Sequence, residues 1–125
     1  MTSIPYFIAH LVAFIFLSFG LNAIFRPESA LAVLPLSASV TAETTINALI
    51  YLYGVRDIFM GLAIEAAAIT GTRKTLGYIL IAGTGVALGD GIVVKGASPG
   101  EGNEWGHWSY SPLLAIVGAW LIGGW

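Results

Sequence analysis

An all-α fold, a bundle of four transmembrane helices forming one domain over residues 1–125, is what this sequence predicts. Three observations carry the prediction. The chain is 57% hydrophobic and only 10% charged, with a mean hydropathy of +0.84. A soluble domain carries about 25% charged residues, so this chain has too few polar side chains to cover a surface facing water. Four apolar segments each approach the roughly 20 residues that a bilayer core demands. Period-2 alternation is absent, which leaves helices as the way to satisfy backbone polar groups in lipid.

The first segment runs from Ile4 to Phe25. No Lys or Arg precedes it, and its apolar run exceeds a signal-peptide core, so a retained helix is expected. Residues 26–44 form a longer connection with Pro27 and Pro35. Its apolar "ALAVLPL" is expected to lie at the membrane interface or to dip back into the bundle. The second segment runs from about Thr45 to Thr70. The turn "TGTRK", residues 70–74, then folds the third segment, about Thr75 to Val94, back along it as an antiparallel hairpin. Residues 95–110, "KGASPGEGNEWGHWSY", make a Gly-rich loop ending in aromatics, and Trp105, Trp108 and Tyr110 suit the headgroup level. The fourth segment runs from Trp108 to Trp125. Arg73 and Lys74 on one side balance Arg26 and Lys95 on the other, so the positive-inside rule does not set the orientation. The expected location is a membrane crossed several times, that of the endoplasmic reticulum in a eukaryotic host.

Several function classes fall away. The chain has no cysteine, hence no disulfide, thiolate metal site or Cys nucleophile. It has no basic stripe interleaved with aromatics, so a nucleic-acid partner is not expected. A Gly-rich phosphate loop, a zinc-ligand cluster and a Ser-centred elbow are all missing. No cofactor and no metal are expected. The expected partners are the bilayer and a lipophilic small molecule, and a homo-oligomer is compatible with the composition.

The informative stretch is "YLYGVRDIFMGLAIEAAA", residues 51–68, where Arg56, Asp57 and Glu65 interrupt an apolar helix. Asp57 lies about a dozen residues from the end bearing the two long loops, roughly 18 Å deep. Asp90, in "ALGDGIVV", lies about five residues from the same end, roughly 8 Å deep. Asn22, Arg26, Asn47, Tyr53 and His107 fall in the same half of the bundle, while His10 and Glu65 fall in the other. That asymmetry predicts a polar cavity opening towards the long loops. An ionised Asp or Arg at a helix centre costs about 2.5–3.5 kcal/mol each, so these groups are expected to face inward. Adjacent helical residues diverge by about 100°, which lets Arg56 reach Asp90 on the neighbouring helix while Asp57 faces the cavity.

Two readings of these charges compete. Arg56, Asp57 and Asp90 as a structural ion network would lock two helices together. Ionisable residues inside a membrane are otherwise functional candidates. His107 has a loop-capping reading, His10 that of an interior hydrogen-bonder, and Glu65 that of a group snorkelling or pairing near a helix end. The glycines, Gly54 and Gly61 around Asp57 and Gly83, Gly85, Gly89 and Gly91 around Asp90, suit close helix packing or leave room for a ligand.

Gly54, Arg56, Asp57, Gly89 and Asp90 also carry a resemblance. The chain resembles a family of small four-helix integral membrane proteins of unknown function, marked by Gly-x-Arg-Asp in the second helix and Gly-Asp late in the third. Some fungal members are associated with epoxide opening and ring formation in secondary-metabolite pathways, and the resemblance implies that role here. The residues support the same chemistry. Opening an epoxide needs an acid at the oxygen and a base on the nucleophile, and two carboxylates in unlike environments divide those tasks. Soluble limonene-epoxide hydrolases use a similar Asp–Arg–Asp inventory on an unrelated fold, an analogy of chemistry alone. The expected enzyme opens an epoxide of a lipophilic polyketide or terpenoid, by hydrolysis or cyclisation, without a cofactor. Asp57, Asp90 and Arg56 are the expected catalytic residues, with the deeper Asp57 as acid, Asp90 as base and Arg56 holding Asp90 ionised. Tyr53, His107, Asn47, Asn22 and Trp105 are expected to bind substrate. The alternatives are a small transporter or ion conductor, or a structural membrane subunit.

Overall fold

The computed structural model describes residues 3–33, 43–97 and 99–124. Six helices follow in order: α1 (Ser3–Phe25), α2 (Pro27–Val33), α3 (Glu43–Thr70), α4 (Arg73–Ala97), α5 (Trp105–Trp108) and α6 (Ser111–Gly123). No strand occurs among the described residues. The four long segments of the sequence are thus α1, α3, α4 and α6. Among the described residues only α1 and α4 are both long and apolar enough to cross a membrane. In α3, 28 residues long, the ionisable groups dilute the apolar run. α6 has 13 residues, short of the roughly 20 that a span needs.

The sequence signals that end each helix are visible. The Gly71 amide bonds back to the Ala67 carbonyl at 3.0 Å and closes α3. The Thr72 hydroxyl oxygen accepts the Thr75 amide at 3.1 Å and caps the start of α4. α6 starts with Pro112 in its first turn and ends at Gly124, whose positive φ of 75° is the left-handed conformation that favours glycine. α2 and α5 are short helices inside what the sequence presents as connections. Residues 34–36, the end of the "ALAVLPL" stretch, and Trp125 lie outside the described residues.

Glycines decide how the helices pair. α1 runs antiparallel to α3 so closely that a Cβ on Gly20 would come within 2.6 Å of the Gly54 carbonyl oxygen. α4 and α6 approach likewise at Gly77 and Gly118, where a Cβ on Gly77 would meet the Gly118 oxygen at 2.7 Å. The molecule is therefore two tight hairpins, α1/α3 and α4/α6, joined by the turn at Gly71. The expected α3/α4 hairpin exists as a chain reversal, but its two helices pack together much less closely than either of these pairs. A shared core of Ala13, Phe16, Ile64, Leu80, Leu114 and Leu121 joins the hairpins. The outside is apolar too: Phe7, Phe14, Phe25, Phe59, Leu52 and Val93 are each more than half exposed.

Candidate functional site

The polar centre lies where the two hairpins meet. Arg56 on α3 reaches across to α4 and donates from Nη1 to Asp90 Oδ1 at 2.8 Å and from Nη2 to Asp90 Oδ2 at 2.9 Å. Its Nη2 also donates to Asp57 Oδ1 at 3.2 Å. The Tyr53 ring, one helical turn earlier, lies under the guanidinium with its centroid 4.5 Å from Cζ. The planar fork of an arginine suits a carboxylate held by two parallel bonds. Asp57 is 1% exposed, whereas the side chains of Asp90 and Arg56 are 19% and 36% exposed. One guanidinium balances one carboxylate, and Asp90 takes the better share of it.

Beside this cluster is a cavity of about 320 Å³. Val12, Ile15, Phe16 and Phe19 of α1, Ala30 of α2, and Leu113 and Leu114 of α6 form its apolar walls. Asn22, Tyr53, Asp57, Asn103, His107 and Tyr110 supply the polar groups. Tyr110 meets Phe16 edge-on at 6.5 Å. His107 is brought in by α5 and stands between the cavity and Asp90, with Nδ1 3.9 Å from Asp90 Oδ2. Burial lowers its basicity below the usual 6.5; Asp90 opposes that shift and Arg56 reinforces it.

Trp108 explains the placement of α5. Its indole nitrogen donates to the Leu88 carbonyl at 3.3 Å, and Lys95 lies 5.3 Å from its ring centroid. The indole occupies the space that a Cβ on Gly91 would need. Gly91 thus admits Trp108 against α4, and Ser111, donating to the Trp108 carbonyl at 2.9 Å, ties α5 to α6.

The structure gathers Asp57, Asp90, Arg56, Tyr53 and His107, and places Asn22 in the same cavity wall. Asp57 faces the cavity as expected; Asp90 does not line it and reaches it only through His107. Asn47 and Trp105 do not line it either, and Trp105 is 62% exposed, edge-on to Trp108. Gly54 and Gly61 pack against α1 rather than leaving room for a ligand. His10 is not an interior residue: its Nδ1 pairs with Glu65 at 2.8 Å on a partly exposed face of α1 and α3. Tyr110, expected at the headgroup level, and Asn103, in a stretch that reads as loop, are cavity residues that sequence reasoning missed. Among the described residues no His, Cys, Asp and Glu cluster could hold a metal ion.

Fold and site together define an all-helical protein with a carboxylate–guanidinium cluster beside an apolar cavity. The model of the family described as "Domain of unknown function (DUF4267)" matches residues 13–121, and the chain belongs to that family. No curated protein and no solved structure matches it.

Proposed function

We propose that the protein is a membrane-embedded, cofactor-independent enzyme that opens an epoxide on a lipophilic polyketide or terpenoid, by hydrolysis or cyclisation. The observation that carries this reading is the buried Asp57 carboxyl in the wall of a largely apolar cavity that His107, 3.9 Å from Asp90, also lines. The membrane part rests on α1 and α4 and on the apolar exterior, where large side chains such as Phe7, Phe14, Phe59 and Ile116 are more than half exposed. α3 and α6 complete a four-span bundle in this reading, and α5 lies over its end.

The chemistry divides between two walls. Protonated Asp57 donates its proton to the epoxide oxygen as the C–O bond breaks. The nucleophile, water or a substrate hydroxyl, attacks the carbon and passes its proton to neutral His107. The products are a diol or a cyclic ether with a free hydroxyl, and the proton on His107 returns to Asp57 before the next turnover. Asp90, fixed by Arg56, stabilises the imidazolium and orients the ring, so it acts through His107 rather than on substrate. Tyr53 and Tyr110 line the same cavity, and in this reading their hydroxyls hydrogen-bond the opening oxygen.

The test is turnover of polyene and terpenoid epoxides by the purified chain in nanodiscs, run in ¹⁸O-water. Label in the product identifies hydrolysis, and its absence from a product of unchanged mass identifies cyclisation. A folded Asp57→Asn protein that turns over as fast as the parent would sink the proposal.

One observation favours a second reading, a structural role for the ion network. α3 and α4 pack together much less closely than the two glycine-seamed pairs, and the Arg56–Asp90 fork bonds one hairpin to the other.

A further inference from the structure

We infer that the cavity opens sideways between α1 and α6 and admits one end of a long, single-chain lipophile from the bilayer, oxygenated end first, with Ile15, Phe19 and Leu113 as its portal. This rests on the membrane reading above, but not on the reaction.

The portal is located by side chains that belong to two surfaces at once. Ile15, Phe19 and Leu113 line the cavity, yet they are 43%, 46% and 45% exposed. A side chain that is both cavity wall and outer surface marks a rim. α1 and α6 touch only lightly there, in contrast to the glycine seams that close α1 on α3 and α4 on α6. Tyr53 and Asp57 back the cavity from α3, and Ala30 of α2 and His107 of α5 line it towards its end.

The rim and the interior differ in chemistry. The three portal residues carry no hydrogen-bonding side-chain group, so a solute from water gains nothing at this mouth, whereas a hydrocarbon crosses it without exchanging its surroundings for a less favourable one. Inside, Asp57, Tyr53, Tyr110 and His107 supply donors and acceptors. A ligand with one oxygenated end is oriented by that gradient, its polar end at Asp57 and its hydrocarbon at the rim. The volume, about 320 Å³, is at the small end of the about 300–1,000 Å³ typical of ligand pockets. It holds one end of a long ligand and leaves the remainder between the helices.

The experiment uses the full chain in liposomes with two photoreactive probes, a long-chain alcohol bearing a diazirine near its hydroxyl and a short, water-soluble diazirine sulfonate. Adducts are mapped by peptide mass spectrometry. The long alcohol is expected to label the interior residues Phe16 and Tyr110. Ile15→Trp and Leu113→Trp, substitutions at half-exposed positions, should lower that interior labelling several-fold. Labelling of Phe14, which is 68% exposed and does not line the cavity, should stay unchanged and so reports that the protein is folded and inserted. Interior labelling by the sulfonate instead, or by the alcohol undiminished in both tryptophan variants, overturns the portal. A protein that labels as expected but opens no epoxide loses the reaction and keeps the portal.

Discussion

Arg56 and Asp90 face each other as a two-bond fork, Nη1 to Oδ1 at 2.8 Å and Nη2 to Oδ2 at 2.9 Å, across the boundary between the two hairpins. Breaking a fully buried ion pair by removing one partner costs about 3–5 kcal/mol. The Arg56 side chain is 36% exposed, which discounts the loss to about 1–3 kcal/mol for Asp90→Asn or Arg56→Met. Replacing both partners together, Arg56→Met with Asp90→Leu, should restore part of that stability, because the two charges of the fork leave together and Asp57, protonated in the proposed mechanism, needs no counter-ion. Unfolding in mixed micelles, followed by circular dichroism, reads all three. A double variant that is stable and active would make the fork purely structural.

Asp57 and Asp90 should differ in what their removal does. Losing a positioned acid typically costs 100-fold to 10,000-fold in rate, and Asp57→Asn is expected to fall in that range with unchanged helix content. Asp90→Asn, one step removed from substrate, is expected to lose less and to keep the substrate KM. Single-turnover rates on one epoxide substrate, measured side by side, decide the order. The reverse order would return the base role to Asp90 itself.

The pH profile should carry the signature of His107. The proposed base is the neutral imidazole, and burial sets its proton affinity below the usual 6.5. Activity should therefore persist below pH 6.5 and fall only as the pH passes the lowered value. Asp90 raises that value while Arg56 lowers it, so Asp90→Asn should move the acid limb to still lower pH. Stability follows the same sign. The unfolded chain takes up the proton first as pH falls, so the contribution of neutral His107 is whole above 6.5 and is lost through the folded-state value. An acid limb that moves upward in Asp90→Asn contradicts this assignment.

Two glycines of α4 should respond in opposite ways to alanine. At Gly77 the new Cβ would lie 2.7 Å from the Gly118 oxygen, and such overpacking costs about 1–3 kcal/mol. At Gly85 nothing lies within 4 Å, and the gain in helix propensity is about 0.5–1 kcal/mol. The same unfolding assay compares them. Equal effects would mean that the α4/α6 seam is looser than these distances.

The long helices were legible because hydropathy and the charges acted on separate scales: apolar runs set the helices, and the cost of Arg56, Asp57 and Asp90 predicted that they would meet. Pairing was less legible. Gly20 and Gly54 decide it by contact between segments far apart in sequence, and no local pattern distinguishes a seam glycine from Gly85, which faces open space. His107 could be placed near the cavity from the sequence, but its position between Asp90 and the ligand space depends on α5. That one-turn helix is held by Trp108 against Gly91, a fit visible only in three dimensions. Tyr110 entered the cavity by the same device.

The two carboxylates also differ in when they become available. Asp57 is the immediate neighbour of Arg56 in the chain, whereas Asp90 follows it by 34 residues. On a growing polypeptide the guanidinium therefore has a counter-ion from the moment it is made, and α3 carries the two charges as a self-neutralising unit. Once α4 is complete, Asp90 takes the stronger pair of hydrogen bonds and Asp57 is left with a single contact of 3.2 Å. Asp57 thus serves first as the counter-ion of Arg56 and afterwards, relieved of that duty, faces the cavity, where the proposed mechanism uses it as the acid.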